Sequence, residues 1–283
     1  MNKKKSVLIS GTSTGIGKEC ALLLDKQGFK VYAGVRNTSD YEQLARSGSG
    51  NIQPVMLDVC KDEDVRAAFD LISEDSSNPL FGLVNNAGLG ISGFVEVMPI
   101  QEFMKLFEVN VFGVHRLTRA FLSTLRMNGG RIINIGSSSS YFSGPALGPY
   151  AATKFALRAY TDALRMEMKF FNVSVSLVAP GPIESAVWNK AQKYKEEVRE
   201  STSPDLLELY GDFMKAGDRL LEEVRPLPAH HVAHAVSHAL TARKPKYVYL
   251  IGKNARIAHF ISRLPKKWGD SLFLNRWKKI ARI

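Results

Sequence analysis

Tyr150 and Lys154 stand four residues apart in Tyr-Ala-Ala-Thr-Lys, at the start of a helical pattern, so their side chains rise from one face as neighbours. A free phenol, with a pKa of about 10, is a poor base at neutral pH. An adjacent ammonium favours the phenolate and draws that pKa toward the working range. Such a phenol gives a proton to a carbonyl oxygen, or takes one from an alcohol. Pairs at this spacing are common on helix surfaces, so the reading rests on its surroundings. Thirteen residues before Tyr150, the apolar run Ile133-Asn134-Ile135 ends in Gly136 and four serines, Ser137 to Ser140.

A second constellation can hold phosphate. Gly11-Thr12-Ser13-Thr14-Gly15-Ile16-Gly17 separates an apolar run from a helical pattern, as strand, turn and helix. Its glycines leave backbone N–H groups free to face a phosphate, and the helix N-terminus adds partial positive charge. At the end of the second strand the chain reads Val35-Arg36-Asn37. A carboxylate there would bind the adenosine ribose hydroxyls, whereas a guanidinium can pair with a 2′-phosphate, which favours NADP over NAD. The plainer alternative for Arg36 is a solvated charge at a strand end.

The elements that must carry these residues follow from periodicity. Strands are expected at Ser6–Ser10, Lys30–Val35, Ile52–Leu57, Phe81–Asn85, Arg131–Ile135, Val173–Val178 and Tyr247–Leu250. Helical patterns lie between them, near 39–47, 62–74, 101–127, 149–170 and 228–242. Apolar strands alternating with amphipathic helices imply an α/β fold, a doubly wound Rossmann-like parallel sheet of about seven strands with helices on both faces. The 283 residues are expected to form one dinucleotide-binding catalytic domain. The polar, weakly periodic stretch from Pro180 to about Pro228 reads as a substrate lid over 184–227, and 254–283 as a basic amphipathic tail.

These motifs occur in an order that resembles the short-chain dehydrogenase/reductase family over about residues 5–185. The resemblance rests on the glycine spacing, Leu57-Asp58-Val59, Asn85-Asn86-Ala87-Gly88, Val109-Asn110-Val111, Ser137, the Tyr150/Lys154 pair and Pro180-Gly181-Pro182-Ile183-Glu184-Ser185. It implies adenine contacts at Asp58 and Val59, cofactor contacts at Asn86, Ala87, Gly88, Tyr150 and Lys154, and nicotinamide-side contacts at Pro180, Gly181, Ile183 and Ser185. It further implies that Ser137 orients the substrate oxygen and that Asn110 holds a water linking the lysine to solvent. Asp58 could equally cap the following helix, and Asn110 could be a buried amide satisfying backbone. Departures are Gly136 where the family has a first serine, leaving Ser138 as partner or substitute for Ser137; Ser185 where it more often has threonine; and Thr14 where NADP-preferring relatives often carry a base.

Across its length the chain resembles the branch of hydroxysteroid and retinol dehydrogenases. That implies interconversion of a lipophilic alcohol and its carbonyl, in a homo-oligomer (dimer or tetramer). Apolar residues in the lid (Trp188, Leu206, Leu207, Leu209, Tyr210, Phe213, Met214) and after the fourth strand (Phe94, Val95, Val97, Met98) fit such a substrate. The rival readings are a non-catalytic NADP-sensing or scaffolding protein and an adaptor acting through its tail.

The net charge of +11 lies wholly in the tail: from Arg243 onward twelve Lys and Arg face Asp270 alone. A balanced body argues against nucleic acid as partner. A helix over Lys266–Ile283 would gather Leu272, Phe273, Trp277 and Ile280 on one side and Lys278, Lys279 and Arg282 on another, suited to a membrane surface, the protein body or a second subunit. His230, His234 and His238 share a helical face, but no carboxylate or cysteine completes a metal set and hydride transfer needs none. No run reaches the ~18 apolar residues of a membrane span, and Met1–Lys5 leads straight into a strand. Cys20 and Cys60 fit no metal or redox spacing, and with reduced thiols the expected setting is cytoplasmic, peripheral to a membrane at most.

Overall fold

The computed structural model describes residues 4–185, 196–200 and 202–281. Val7 and Ile9 point to one side of their strand and Leu8 to the other, and all three are fully buried, as a strand covered on both faces requires. The seven strands are β1 (Ser6–Ile9), β2 (Lys30–Val35), β3 (Ile52–Met56), β4 (Leu80–Asn85), β5 (Arg131–Ile135), β6 (Ser174–Pro180) and β7 (Val248–Ile251). They form one parallel sheet in the order β3-β2-β1-β4-β5-β6-β7. The order reverses between β1 and β4, and the crevice at the carboxyl ends of those two strands is where such sheets bind ligands.

The first helices are α1 (Gly15–Lys26), α2 (Thr38–Ala45), α3 (Asp62–Glu74), α4 (Ile100–Phe107), α5 (Gly113–Met127) and α6 (Gly148–Met168). They are followed by α7 (Pro204–Glu222), α8 (His230–Thr241), α9 (Lys253–Ile261) and α10 (Lys266–Ala281). On one face of the sheet Val7, Ile9 and Val31 pack against Cys20 and Leu24 of α1 and Val232 and Val236 of α8. On the other, Leu8, Tyr32 and Leu83 meet Leu117 and Phe121 of α5 and Leu164 of α6.

Two features differ from the sequence expectation. The pattern at 101–127 is not one α-helix: a π-helical turn at Glu108–Phe112 separates α4 from α5. The cause lies at Asn110, whose amide is bonded across to Leu89 and Thr153 and holds the widened turn in place. The weakly periodic stretch contains the 19-residue helix α7. Its Tyr210 and Phe213 pack on Phe94, and Gly217 meets Trp277 of α10. The helix expected from Lys266 is present as α10 and runs through Gly269 and Asp270; Gly269 is where Ile261 approaches so closely that an added Cβ would lie 3.0 Å from Ile261 Cγ2.

The tail docks on the body. Trp277 is 5% exposed, its ring edge meets the α7 backbone at Gly217, and Phe273 fills the space beside Gly144 and packs against Phe142, ring centres 5.3 Å apart and planes tilted by 45°. Trp268 and Leu272 remain outside, 64% and 59% exposed. Among the described residues no helix is long and apolar enough to cross a membrane.

Candidate active site

The glycine turn links β1 to α1. Gly11 and Gly15 have φ of +69° and +56°, and a side chain at Gly17 would overlap the Gly11 carbonyl and the Asn86 amide. Thr14 is the residue before α1, yet no side chain caps that helix end, so its first-turn amides stay open to an anion. Ser13, Thr14 and Ile16 line this turn with partial or full exposure. Thr12 is fully buried, and its hydroxyl donates to the Gly34 carbonyl at 2.9 Å, so its side chain ties the turn to β2.

The end of β4 is clamped to that turn. Ser10 Oγ accepts from the backbone amides of Asn86 and Ala87 at 3.1 and 3.0 Å. Asn86 Nδ2 donates to the carbonyls of Ser10 and Gly11 at 2.9 and 2.8 Å. Gly88 follows, close to both Asn110 Oδ1 and Lys154 Nζ. Asp58 is not a helix cap: Lys61 precedes α3, while the Asp58 carboxylate accepts from Cys60 N at 3.0 Å and closes the turn after β3, with Val59 buried beside it. Arg36 is exposed at the end of β2, and among the described residues no carboxylate lies within ion-pairing distance of it. The turn after β6 comes back over the glycines. Gly181 N donates to the Ile251 carbonyl at 2.9 Å, buried Ile183 bridges to Leu227, and Ser185 sits so near Gly15 that a Cβ there would lie 2.8 Å from Ser185 Cβ. Pro180, Gly181, Ile183 and Ser185 therefore stand on the same rim as Gly11–Gly17.

Tyr150 rises from the first turn of α6 and is half-buried. The Ser137 side chain, just beyond the end of β5, is the one that acts on its hydroxyl, rather than Ser138. Burial pushes the phenol's pKa up, and Ser137 opposes this only in part. The depression expected from Lys154 is not seen with the chain's own groups, because the ammonium stands 5.9 Å from the ring centre and donates to the Ile135 carbonyl at 3.1 Å. Lys154 is 6% exposed, and burial lowers its pKa to about 8. Its ammonium thus lies buried beneath the phenol with little solvation of its own.

Asn110 is 1% exposed. Its Oδ1 accepts from Leu89 N at 2.8 Å, and its Nδ2 donates to the Leu89 carbonyl and Thr153 Oγ1, both at 3.0 Å. Thr153 Oγ1 in turn donates to the Tyr150 carbonyl at 2.7 Å. The side chain is therefore taken up in positioning the chain around Gly88 and the start of α6.

Sequence reasoning missed several positioning residues. Asn85 Nδ2 donates to Asn134 Oδ1 at 2.8 Å, and Asn134 Nδ2 to Thr161 Oγ1 at 2.9 Å, a buried chain that fixes α6 against β4 and β5. Ser140 Oγ accepts from Ser137 N at 3.2 Å and Ser137 Oγ from Ser139 N at 3.1 Å, setting the serine turn. The available signal was polarity inside apolar strand runs, as in Ile133-Asn134-Ile135. Ser10 and Thr153 carried no such signal.

Apolar groups surround the mouth. Phe94 meets Tyr210 of α7 at 5.0 Å and Phe213 at 6.4 Å, and Tyr210 Oη donates to Glu96 at 2.7 Å. Gly93 N donates to the Ala146 carbonyl at 2.7 Å, joining this segment to the loop that leads to Tyr150. Trp188 lies outside the described residues. His238 Nδ1 is within 2.8 Å of the Tyr249 hydroxyl.

Residues 5–196 match the short chain dehydrogenase family. The chain is 33% identical over 292 residues to 17-beta-hydroxysteroid dehydrogenase type 6 of Bos taurus, covering 98% of this chain and 90% of that protein. It is 32% identical to retinol dehydrogenase 16 of Homo sapiens, covering 95% and 88%. Among solved structures it resembles 3-ketoacyl-(acyl-carrier-protein) reductase of Brucella melitensis complexed with NADH (26% identity, TM-score 0.73, covering 89% and 98%). It also resembles ElxO with NADP bound (25% identity, TM-score 0.71, covering 88% and 97%). The chain belongs to the short chain dehydrogenase family and is an oxidoreductase, with hydroxysteroid and retinol dehydrogenases among its relatives.

Proposed function

We propose that this protein interconverts a lipophilic secondary or allylic alcohol and its carbonyl, using NADP as hydride carrier and Tyr150 as proton donor and acceptor. The observation that carries the reading is the buried Lys154 ammonium, held by the Ile135 carbonyl 5.9 Å below the Tyr150 ring, with Ser137 at the adjoining end of β5. The glycine turn, the clamped Asn86–Gly88 segment and the Ser185 rim suit a dinucleotide, and NADP there supplies or accepts the hydride. Arg36, exposed and without a carboxylate partner among the described residues, suits a 2′-phosphate. NAD is the alternative, since of the solved structures named above one carries NADP and the other NADH.

In the reductive direction Tyr150 passes its proton to the substrate oxygen, and the Ser137 hydroxyl donates to the same oxygen as charge builds on it. Lys154 holds positive charge where the tyrosinate forms, lowering the cost of proton loss. Asn110, through Thr153 and Leu89, keeps the start of α6 in register, and a water at Asn110 would connect Lys154 to solvent.

The substrate's hydrophobic character rests on Phe94, Tyr210 and Phe213 around the mouth. We read the chain as one catalytic domain carrying a lid over 184–227 and a tail over 254–283. It associates as a homo-oligomer, supported by the exposed apolar side chains of Met104 and Phe112. It works in the cytoplasm, touching a membrane peripherally through Trp268, Leu272 and the tail's lysines.

The test is a panel of steroid, retinoid and aliphatic ketones and alcohols with NADPH, NADP+, NADH or NAD+, followed at the nicotinamide absorbance. Turnover should be highest with a lipophilic substrate and the phosphorylated cofactor. A preference for short polar substrates would refute the substrate class, and binding of NADPH without turnover of any of them would favour a sensor.

A further inference from the structure

Outside the site just described, a cavity of about 330 Å3 opens between α6, the turn after Ser140 and the junction of α9 and α10. Arg158, Arg263 and Lys266 line it with three cations, against one carboxylate, Asp270. Asp162 lies 4.0 Å from Arg158 and is shared with Arg165 at 3.5 Å. Among the described residues neither Arg263 nor Lys266 has a carboxylate within ion-pairing distance.

One of the cations, Arg158, is held in place by aromatic packing. The Arg158 guanidinium stacks 4.3 Å over the buried Tyr141 ring, and His259 meets the same ring edge-to-face at 4.8 Å. His259 Nδ1 is buried with no partner among the described residues, and burial followed by Arg263 and Arg158 holds its pKa below the ordinary value, so the ring stays neutral and the positive charge comes from Arg158, Arg263 and Lys266. Arg158 Nη1 also donates to the Ser140 carbonyl at 3.4 Å, two hydrogen bonds from Ser137.

We propose that this cavity binds the phosphate group of a phosphate ester. Two guanidinium groups and an ammonium converging on one space suit a phosphate's several acceptor oxygens, and the guanidinium forks can each engage two of them. Two sources share that chemistry, a soluble phosphomonoester and a phospholipid headgroup. The lipid source draws support from the rim: Phe155 lines the cavity 40% exposed, and Phe260 and Trp268, chain neighbours of lining residues, are 63% and 64% exposed. The site is separate from catalysis, so turnover is not its readout.

The experiment uses the full chain saturated with NADP+, so that the dinucleotide site does not compete. Glycerol 3-phosphate, with glycerol as control, is titrated by calorimetry. In parallel the protein is co-sedimented with phosphatidylcholine vesicles with or without phosphatidic acid. The test variant is R263Q/K266Q, which alters exposed side chains only, and the control is K278Q/K279Q, with equal charge loss on α10 outside the cavity. Wild type should bind the phosphate-bearing probe in at least one arm, and R263Q/K266Q should bind it at least about tenfold more weakly, the loss of one or more charge-assisted hydrogen bonds. K278Q/K279Q should keep its affinity for the soluble ester. Phosphate-dependent binding to vesicles alone assigns the site to a lipid headgroup, and binding of glycerol 3-phosphate with no vesicle preference assigns it to a soluble ester. No phosphate-dependent binding in either arm, undiminished binding of the phosphate-bearing probe by R263Q/K266Q, or equal losses of glycerol 3-phosphate affinity in the two double variants overturns the proposal.

Discussion

Replacing Lys154 by Met separates what this residue does for stability from what it does for chemistry. Lys154 is 6% exposed, and its pKa is lowered to about 8 from 10.5, so its charged form is held in the folded chain at a cost. The unfolded chain keeps an ordinary lysine, so above about pH 8 the unfolded state binds more protons than the folded state. Stability contributed by this group therefore rises with pH between the folded and the unfolded pKa. At ~1.4 kcal/mol per pH unit, wild type should gain about 2 kcal/mol on Lys154→Met between about pH 7 and about pH 9.5. The lost bond to the Ile135 carbonyl and the change in packing shift the two curves by a constant and leave that slope untouched. Urea unfolding followed by tryptophan fluorescence, repeated for both proteins across this range, measures the difference directly. Parallel curves would refute the reasoning, since they would mean that the ammonium titrates as a solvated lysine does.

Three further outcomes follow from the geometry. Arg36→Asp should shift the ratio of kcat/KM for NADPH over NADH by at least about tenfold toward NADH, and an unchanged ratio would discount the guanidinium at the end of β2. Asn110→Ala removes three hydrogen bonds and leaves the Leu89 amide and carbonyl unpaired; it should destabilise the fold by roughly 2–4 kcal/mol, read as a drop in the urea midpoint. Phe273→Ala empties the space beside Gly144 and Phe142; it should raise KM for the lipophilic substrate several-fold while leaving NADPH binding unchanged in fluorescence titration.

The fold was legible because both faces of the sheet are covered, which turns each strand into a continuous apolar run bounded by turns. Strand ends in the structure fall within a residue or two of those runs, as Ser6–Ile9 and Ser174–Pro180 illustrate. The π-turn at Glu108–Phe112 was not legible, because it depends on a contact between Asn110 and Leu89, 21 residues apart. At the candidate site, spacing placed Tyr150 and Lys154 on one helix face, and the family resemblance added Ser137. The direction of the Tyr150 shift was not readable, since it turns on how deeply the phenol is buried and on where the lysine spends its hydrogen bond. The tail illustrates a different limit. Its amphipathic pattern left body, membrane and second subunit equally open, and only the placement of Phe273 and Trp277 against Gly144 and Gly217 assigns one face to the body.

The most direct test of the central claim is turnover by Tyr150→Phe with saturating NADPH and whichever ketone the panel identifies. The hydroxyl is the only group removed, so the account predicts a fall in kcat of about 10²–10⁴, with NADPH affinity within about twofold of wild type. A kcat within about threefold of wild type would contradict it, because proton transfer would then have to come from another group.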